Sequence, residues 1–227
     1  DDQSSDGTRA ILEQIAVSQP ALKIYHGEPP TGNQVGKNWA CSQLASQAQG
    51  DLLFFTDADT VHQPHTLRAL VSAMNGEQAD LVTGFPKQQV LSWSEKLLVP
   101  FFTWASISFT SLGLAYRTRA QALVVAVGQV MLFRRAAYEK IGGHEALGRS
   151  IVDDLALARK VKAAGLRWRV VRASDLVSCR MTELVVQLLE PPILGRDFGQ
   201  RTVLPGHGPQ APGRLRGAVP KATRHPP

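Results

Sequence analysis

The chain has 227 residues, 44% apolar and 19% charged, enough to bury a core as one α/β domain. Two cysteines, Cys41 and Cys179, are too few for a disulfide scaffold and read as buried thiols of a reducing compartment, while the six histidines lack zinc-ligand spacing. The net charge of +6 does not indicate nucleic acid, because the basic residues are dispersed without interleaved aromatics; it suits an anionic nucleotide or membrane surface.

The opening run DDQSSDGT is polar and turn-rich and carries no signal-peptide pattern. A doubly wound sheet seldom starts on a strand-to-helix loop, so a core strand is expected to precede it. Asp6 or Ser5 can cap a helix over about Thr8–Ser18, with Ile11, Leu12, Ile15 and Val17 on its apolar face. Ala21–His26 reads as a short strand. The loop GEPPTGNQVGK follows, and a second helix is predicted over Lys37–Ala48. In DLLFFTDADT, Leu52 to Phe55 form the unbroken apolar run of a covered parallel strand. Pro64 suits the first turn of a helix over His65–Met74. Ala79–Phe85 reads as a third strand, and the alternation predicts a mostly parallel sheet.

Residues 97–116 break the rhythm with 20 positions free of charge. Pro100 and several hydroxyls argue against a span and for a segment lying at a bilayer surface, with a buried helix as the alternative. Ala122–Arg135 reads as strand, turn at Gly128, strand. A short helix is then stopped by Gly142 and Gly143. IVDDLALARKVKAAG is an amphipathic helix ending at Gly165, and LRWRVVRASDLVSC gives one or two strands. Residues 191–227 hold eight prolines and read as a disordered or extended tail.

Four groups of residues can carry chemistry. Asp57 and Asp59 follow an apolar strand directly, where open α/β sheets bind ligands. If the strand continues, both carboxylates point the same way and need a divalent cation between them and a diphosphate. A solvated turn is the plain alternative. Asp1 and Asp2 can accept from a nucleoside, or can simply be solvated. Asp153 and Asp154 start a helix, where acids are favoured anyway; one of them can also serve as a base. Lys37 follows a glycine-rich loop that fails the phosphate-loop pattern, because Asn38 stands where Ser or Thr is required. It can still meet a diphosphate.

Together DDxSxDGT, GKxxA, TDADT, GQxxLFRRxAYExIGG and VDDLALARKVKAAG resemble the family-2 glycosyltransferases with the GT-A fold. The branch they are most similar to glycosylates carotenoid, hopanoid or other polyprenoid lipids. The resemblance implies a GT-A-like α/β fold over residues 1–190, with a mostly parallel sheet flanked by helices and missing its first strand. It implies an inverting transfer from a UDP- or GDP-sugar to a hydroxyl or carboxyl of a lipid acceptor, at the cytoplasmic face of the cell membrane. Asp1, Asp2, Lys37 and Asp57 would contact the nucleotide. Asp59, with Asp57, would hold Mg²⁺ or Mn²⁺. Gly128 and Gln129 would lie on the acceptor side. The family's Glu-Asp pair falls on Asp153 and Asp154, with Asp154 as base and Asp153 a shorter acid than the family's Glu. A nucleotidyltransferase and a noncatalytic sugar-nucleotide-binding relative are the alternatives. A dehydrogenase lacks its GxGxxG loop here.

Overall fold

The computed structural model describes residues 1–30, 36–90, 111–148, 150 and 152–179, with single positions between 93 and 108. All belong to one unit, Asp1–Leu189. The predicted tail 191–227 and nine of the 20 residues of the uncharged run 97–116 lie outside the described residues.

The chain is α/β. Helix α1 spans Thr8–Ser18; its N-cap is Gly7, with no side-chain cap bond, rather than the expected Asp6 or Ser5, and Asp6 Oδ1 accepts from Thr8 N at 3.0 Å from one residue further out. None of its residues is buried; Ile11, Ile15 and Val17 of the predicted apolar face are exposed. Ala21–His26, read as a strand, makes no ladder. It is tied instead to the start of the chain, where Gly27 N donates to Asp1 O at 2.9 Å. Helix α2 spans Gly36–Gln47, followed by β1 (Leu52–Phe55), β2 (Thr60–His62), α3 (Thr66–Gly76) and β3 (Leu81–Gln88). The short helix α4 (Leu112–Arg117) precedes a 3₁₀ turn, Gln121–Leu123. Then come β4 (Met131–Arg134), α5 (Arg135–Lys140), α6 (Asp153–Ala163) and β5 (Trp168–Cys179). Among the described residues, no helix is long and apolar enough to cross a membrane.

The sheet runs β1-β4-β3-β5-β2. Only the β3–β5 pairing is parallel; β1–β4, β3–β4 and β2–β5 are antiparallel. The expected mostly parallel sheet is therefore a mixed one. Apolar runs report that both faces are covered, and they carry no information on pairing direction. The first strand predicted in Ala122–Arg135 does not form either. Val127 N is taken by Thr83 Oγ1 at 2.9 Å, which holds this stretch as a loop.

Strand alternation divides the core into two layers. Leu81, Met131 and Phe133 face Tyr138, Leu157, Ala158, Val161 and Trp168 on one side. Val82, Leu132, Ala173 and Val177 face Leu70 and Met74 of α3 on the other. Central β3 is buried along most of its length. Gly84 lets β5 approach: a Cβ there would lie 2.8 Å from Ala173 Cβ and 2.9 Å from Val171 O.

Helix α2 is pinned at both ends. Asn38 Nδ2 donates to Ser150 O at 3.0 Å. Arg135 Nε and Nη2 donate to Gly50 O at 2.7 Å and Ala48 O at 2.8 Å, satisfying carbonyls just past the helix end.

Replacing Gly84 with Ala forces this contact apart. We expect a loss of about 1–3 kcal/mol, read from the urea midpoint of the purified protein. An unchanged midpoint would show that the two strands separate without cost.

Candidate active site

The end of β1, the start of α2 and the start of α6 meet at a cavity of about 290 Å³. Lys37, Asp57, Gly128 and Asp153 line its polar end; Leu53, Phe55 and Met131 are among its apolar walls. Lys37 Nζ bonds Asp57 Oδ1 at 2.9 Å and reaches Asp153 Oδ2 at 3.3 Å. One ammonium thus joins the strand-end acid to the helix-start acid. Burial pulls the Lys37 pKa down, but its bond to Asp57 and the charges of Asp153 and Asp57 outweigh this, so it lies above the ordinary lysine value. Lys37 is a permanent cation, and its side chain is about half exposed at 52%.

Asp154 points elsewhere. Its Oδ2 accepts from Gly128 N at 2.9 Å and its Oδ1 from Leu155 N at 2.6 Å. Burial lifts its pKa above the ordinary value, the charge of Asp153 adds to this, and the two backbone bonds and Lys37 act against it. Gly128 lies between these groups, with space for a Cβ in ordinary contact. A Cβ there would lie 3.6 Å from Asp154 Oδ2 and 3.8 Å from Lys37 Nζ. Gln129 O accepts from Thr56 Oγ1 at 3.0 Å, which ties the same turn to the end of β1. Of the two residues expected on the acceptor side, Gly128 stands beside Asp154 and Gln129 beside Thr56.

Asp1 and Asp2 line a neighbouring cavity with His26, Gly27 and Trp39. Leu44 of α2 lines both cavities. The Asp1 side chain is buried, with Oδ2 3.7 Å from His26 Nδ1. Asp2 lies against the start of α2: a Cβ on Gly36 would be 3.6 Å from Asp2 Oδ2. The next residue is Lys37. Asp2 thus lies against the residue that precedes the lysine bonded to Asp57.

Asp59 stands apart. The strand does not continue through it, because Thr60 N donates back to Asp57 O at 3.3 Å and makes Asp57–Thr60 a turn. Asp59 is exposed and does not line the cavity of Asp57. No group of three or more His, Cys, Asp and Glu side chains among the described residues forms a metal cage. The strand-end carboxylates suit a cation only where substrate phosphates complete the coordination, as is usual for Mg²⁺.

Two features escape a reading of the sequence. His144 lines the cavity, packs against Phe55 with ring centroids 4.7 Å apart, and shares a 2.8 Å bond between Nδ1 and Tyr138 Oη. Burial pushes its pKa down to about 4, so it is a neutral wall at pH 7. The signal lay in Gly142-Gly143, whose positive φ angles swing the following residue inward. The second feature is a cluster at the end of β1. Thr56 Oγ1 lies 2.7 Å from Thr60 Oγ1 and 2.8 Å from His62 Nε2, holding the turn that carries Asp57. Cys41 also lines the cavity, with its thiol pushed up to about 11 by burial, which leaves it unreactive.

The fold is shared with known sugar-transfer enzymes. A mannosyltransferase from Pyrobaculum calidifontis, solved with GDP-Man and Mn²⁺, superposes with a TM-score of 0.54 at 20% identity, covering 79% of this chain and 45% of that one. Residues 1–349 of TarS from S. aureus, solved with UDP, superpose with a TM-score of 0.51 at 16% identity, covering 82% and 51%. The beta-monoglucosyldiacylglycerol synthase of Synechocystis sp. is 37% identical over 71 residues, or 31% of this chain and 14% of that protein. The chain thus spans a small part of that relative and about half of those structures. The motif resemblance holds at the level of a family-2-like glycosyltransferase. With the family's pattern matched over residues 3–186, the chain belongs to glycosyl transferase family 21.

Proposed function

We propose that residues 1–190 carry out an inverting transfer of a sugar from a UDP- or GDP-sugar to a hydroxyl or carboxyl of a lipid acceptor. The observation that carries this reading is the Lys37 bridge between Asp57 and Asp153 at the polar end of the cavity. It gathers acids and a cation at the carboxyl end of β1, and α/β sheets take ligands beyond such strand ends. Family membership supports sugar transfer as the reaction. The diacylglycerol in the name of the Synechocystis relative supports a lipid acceptor. Exposed Trp93, Leu97, Phe101 and Trp104 agree with work at a membrane surface, which we place at the cytoplasmic face.

In this reading Asp1 and Asp2 orient the nucleoside, and Asp57 its ribose. Lys37 turns from its acids toward the diphosphate, which its exposure permits. A divalent cation, held by Asp59 with Asp57, would neutralise charge on the departing diphosphate. Asp154 takes the proton of the acceptor hydroxyl as the hydroxyl oxygen attacks the anomeric carbon. A poor nucleophile needs such a base, and a carboxyl raised by burial is better suited than an ordinary one. Both Asp154 oxygens accept one backbone bond, and each keeps a second lone pair for the acceptor.

The two acids of α6 are expected to separate in kinetics. Asp154→Asn should lower turnover on the order of 10²-fold or more while donor affinity is nearly kept. Asp153→Asn should act mainly on donor affinity, because Asp153 holds Lys37. Retention of most turnover in Asp154→Asn would remove it as the base.

Lys37→Met should weaken nucleoside-diphosphate binding by roughly tenfold, the scale of one lost charge-assisted bond. Calorimetric titration of the purified variant reads this directly, and unchanged affinity would remove Lys37 from the donor site. The same titration in excess chelator tests the cation. We expect affinity to fall, and an unchanged value would mean that the donor binds without metal.

A further inference from the structure

A second cavity, of about 260 Å³, lies at the opposite end of α6 from Asp153 and Asp154. An eleven-residue helix puts roughly 16 Å between its two ends. The cavity is lined by Arg117, Arg119, Lys162, Arg167 and Arg169, and by no acidic side chain. Five like charges around one hollow repel one another unless an anion is present.

Some of this charge has a structural explanation. Cations are favoured at the C-terminal end of a helix. Lys162 is buried and donates to Ala115 O at 2.6 Å. Arg169 stacks on Tyr116, 4.5 Å from the ring centre, and pairs with Glu77 at 3.2 Å. Arg117 likewise stands in the last turn of α4, but helix-end compensation does not account for Arg119 or Arg167. Arg167 donates from Nη1 to the neutral Gln78 Oε1 at 2.7 Å, while the nearby Asp80 accepts its backbone N–H. Arg117 and Arg119 are exposed on the wall of the cavity, and no described carboxylate pairs with either. Among the described residues, Arg169 is the one of the five whose side chain pairs with a carboxylate. Trp168 lines the same hollow at 3% exposure, and its Nε1–H is buried without a hydrogen-bond partner among the described residues. The site thus offers unpaired guanidinium forks around a fixed ammonium, the donor set that binds phosphate oxygens bidentately.

We propose that the cavity between α4, the end of α6 and the start of β5 is a second, noncatalytic binding site for a phosphate group, carried by an anionic lipid headgroup or by a soluble phosphate ester. The site is separate from the Lys37 cavity and does not depend on the reaction proposed there. Arg117 and Arg119 directly follow the uncharged run 97–116, and basic residues bordering such a run stand at headgroup depth on a membrane surface.

The test uses the purified protein and two probes. In one arm it is sedimented with phosphatidylcholine vesicles, with and without added phosphatidylglycerol. In the other, binding of inorganic phosphate is followed by phosphorus NMR. R117Q/R119Q is compared with K23Q/K140Q, which removes the same charge from exposed positions outside the cavity. We expect R117Q/R119Q to lose affinity by about tenfold or more, and K23Q/K140Q by about twofold at most. A loss confined to phosphatidylglycerol vesicles identifies a headgroup site; a loss confined to inorganic phosphate identifies a soluble ester. If R117Q/R119Q matches the wild type in both arms, or K23Q/K140Q loses as much, the proposal is overturned.

Discussion

The Lys37 ammonium is the interaction on which the site depends. Asp57 ends a strand and Asp153 starts a helix far along the chain, and two carboxylates brought to one cavity repel. A single cation within bonding distance of both turns that repulsion into attraction. Lys37 can do this only because α2 is held rigidly. Asn38 fixes its first turn to Ser150, just ahead of the α6 acids. Arg135 grips the carbonyls beyond its other end. Both anchors are hydrogen bonds to backbone carbonyls, so they fix the position of the helix whatever side chains stand at the anchored points.

Strand direction then decides what else reaches the cavity. Because β4 runs antiparallel to β1, Met131 at its start pairs with Phe55 at the end of β1. The turn before β4 is thereby delivered to the strand end that carries Asp57. Gly128 and Gln129 arrive beside Asp154 and Thr56 for this reason. In a parallel arrangement the start of β4 would lie at the other end of β1, away from the acids. The mixed sheet is thus part of how the site is assembled.

Helices α2, α3 and α6 were legible because apolar spacing, a leading proline and terminal glycines are local signals. Gly165, with φ of 72°, stops the α6 region as its position in the sequence implied. Pairing direction was not legible, since Leu52–Phe55 looks the same in a parallel or an antiparallel ladder. Nor was β2, a three-residue strand that forms only because the far end of β5 is there to pair with it. The acids at 57, 153 and 154 could be found from the strand-end and helix-start rules. Asp59 could not be placed, because the turn from Asp57 to Thr60 depends on hydroxyl contacts of Thr56 and Thr60 that no local pattern announces. His144 was passed over for lack of ligand spacing, and its role is as a wall.

The two acids of α6 show how a structural preference and a chemical one coexist. Neither serves as a helix cap in the usual sense. Val152 occupies the N-cap position and makes no side-chain cap bond. Asp153 and Asp154 sit in the first turn, where the helix field stabilises negative charge, while Lys160 and Lys162 answer it in the last turn. That field acts on both acids, so it cannot be what distinguishes them. Their surroundings do. Asp153 faces the cavity and spends its charge on Lys37. Asp154 is turned into the protein against Gly128, and burial raises its proton affinity. Adjacent positions on a helix point about 100° apart, so one acid can face the open cavity while its neighbour is enclosed. The pair therefore gives one carboxylate that stays paired with a cation and one that is better disposed to take up a proton, without any other element having to supply the second.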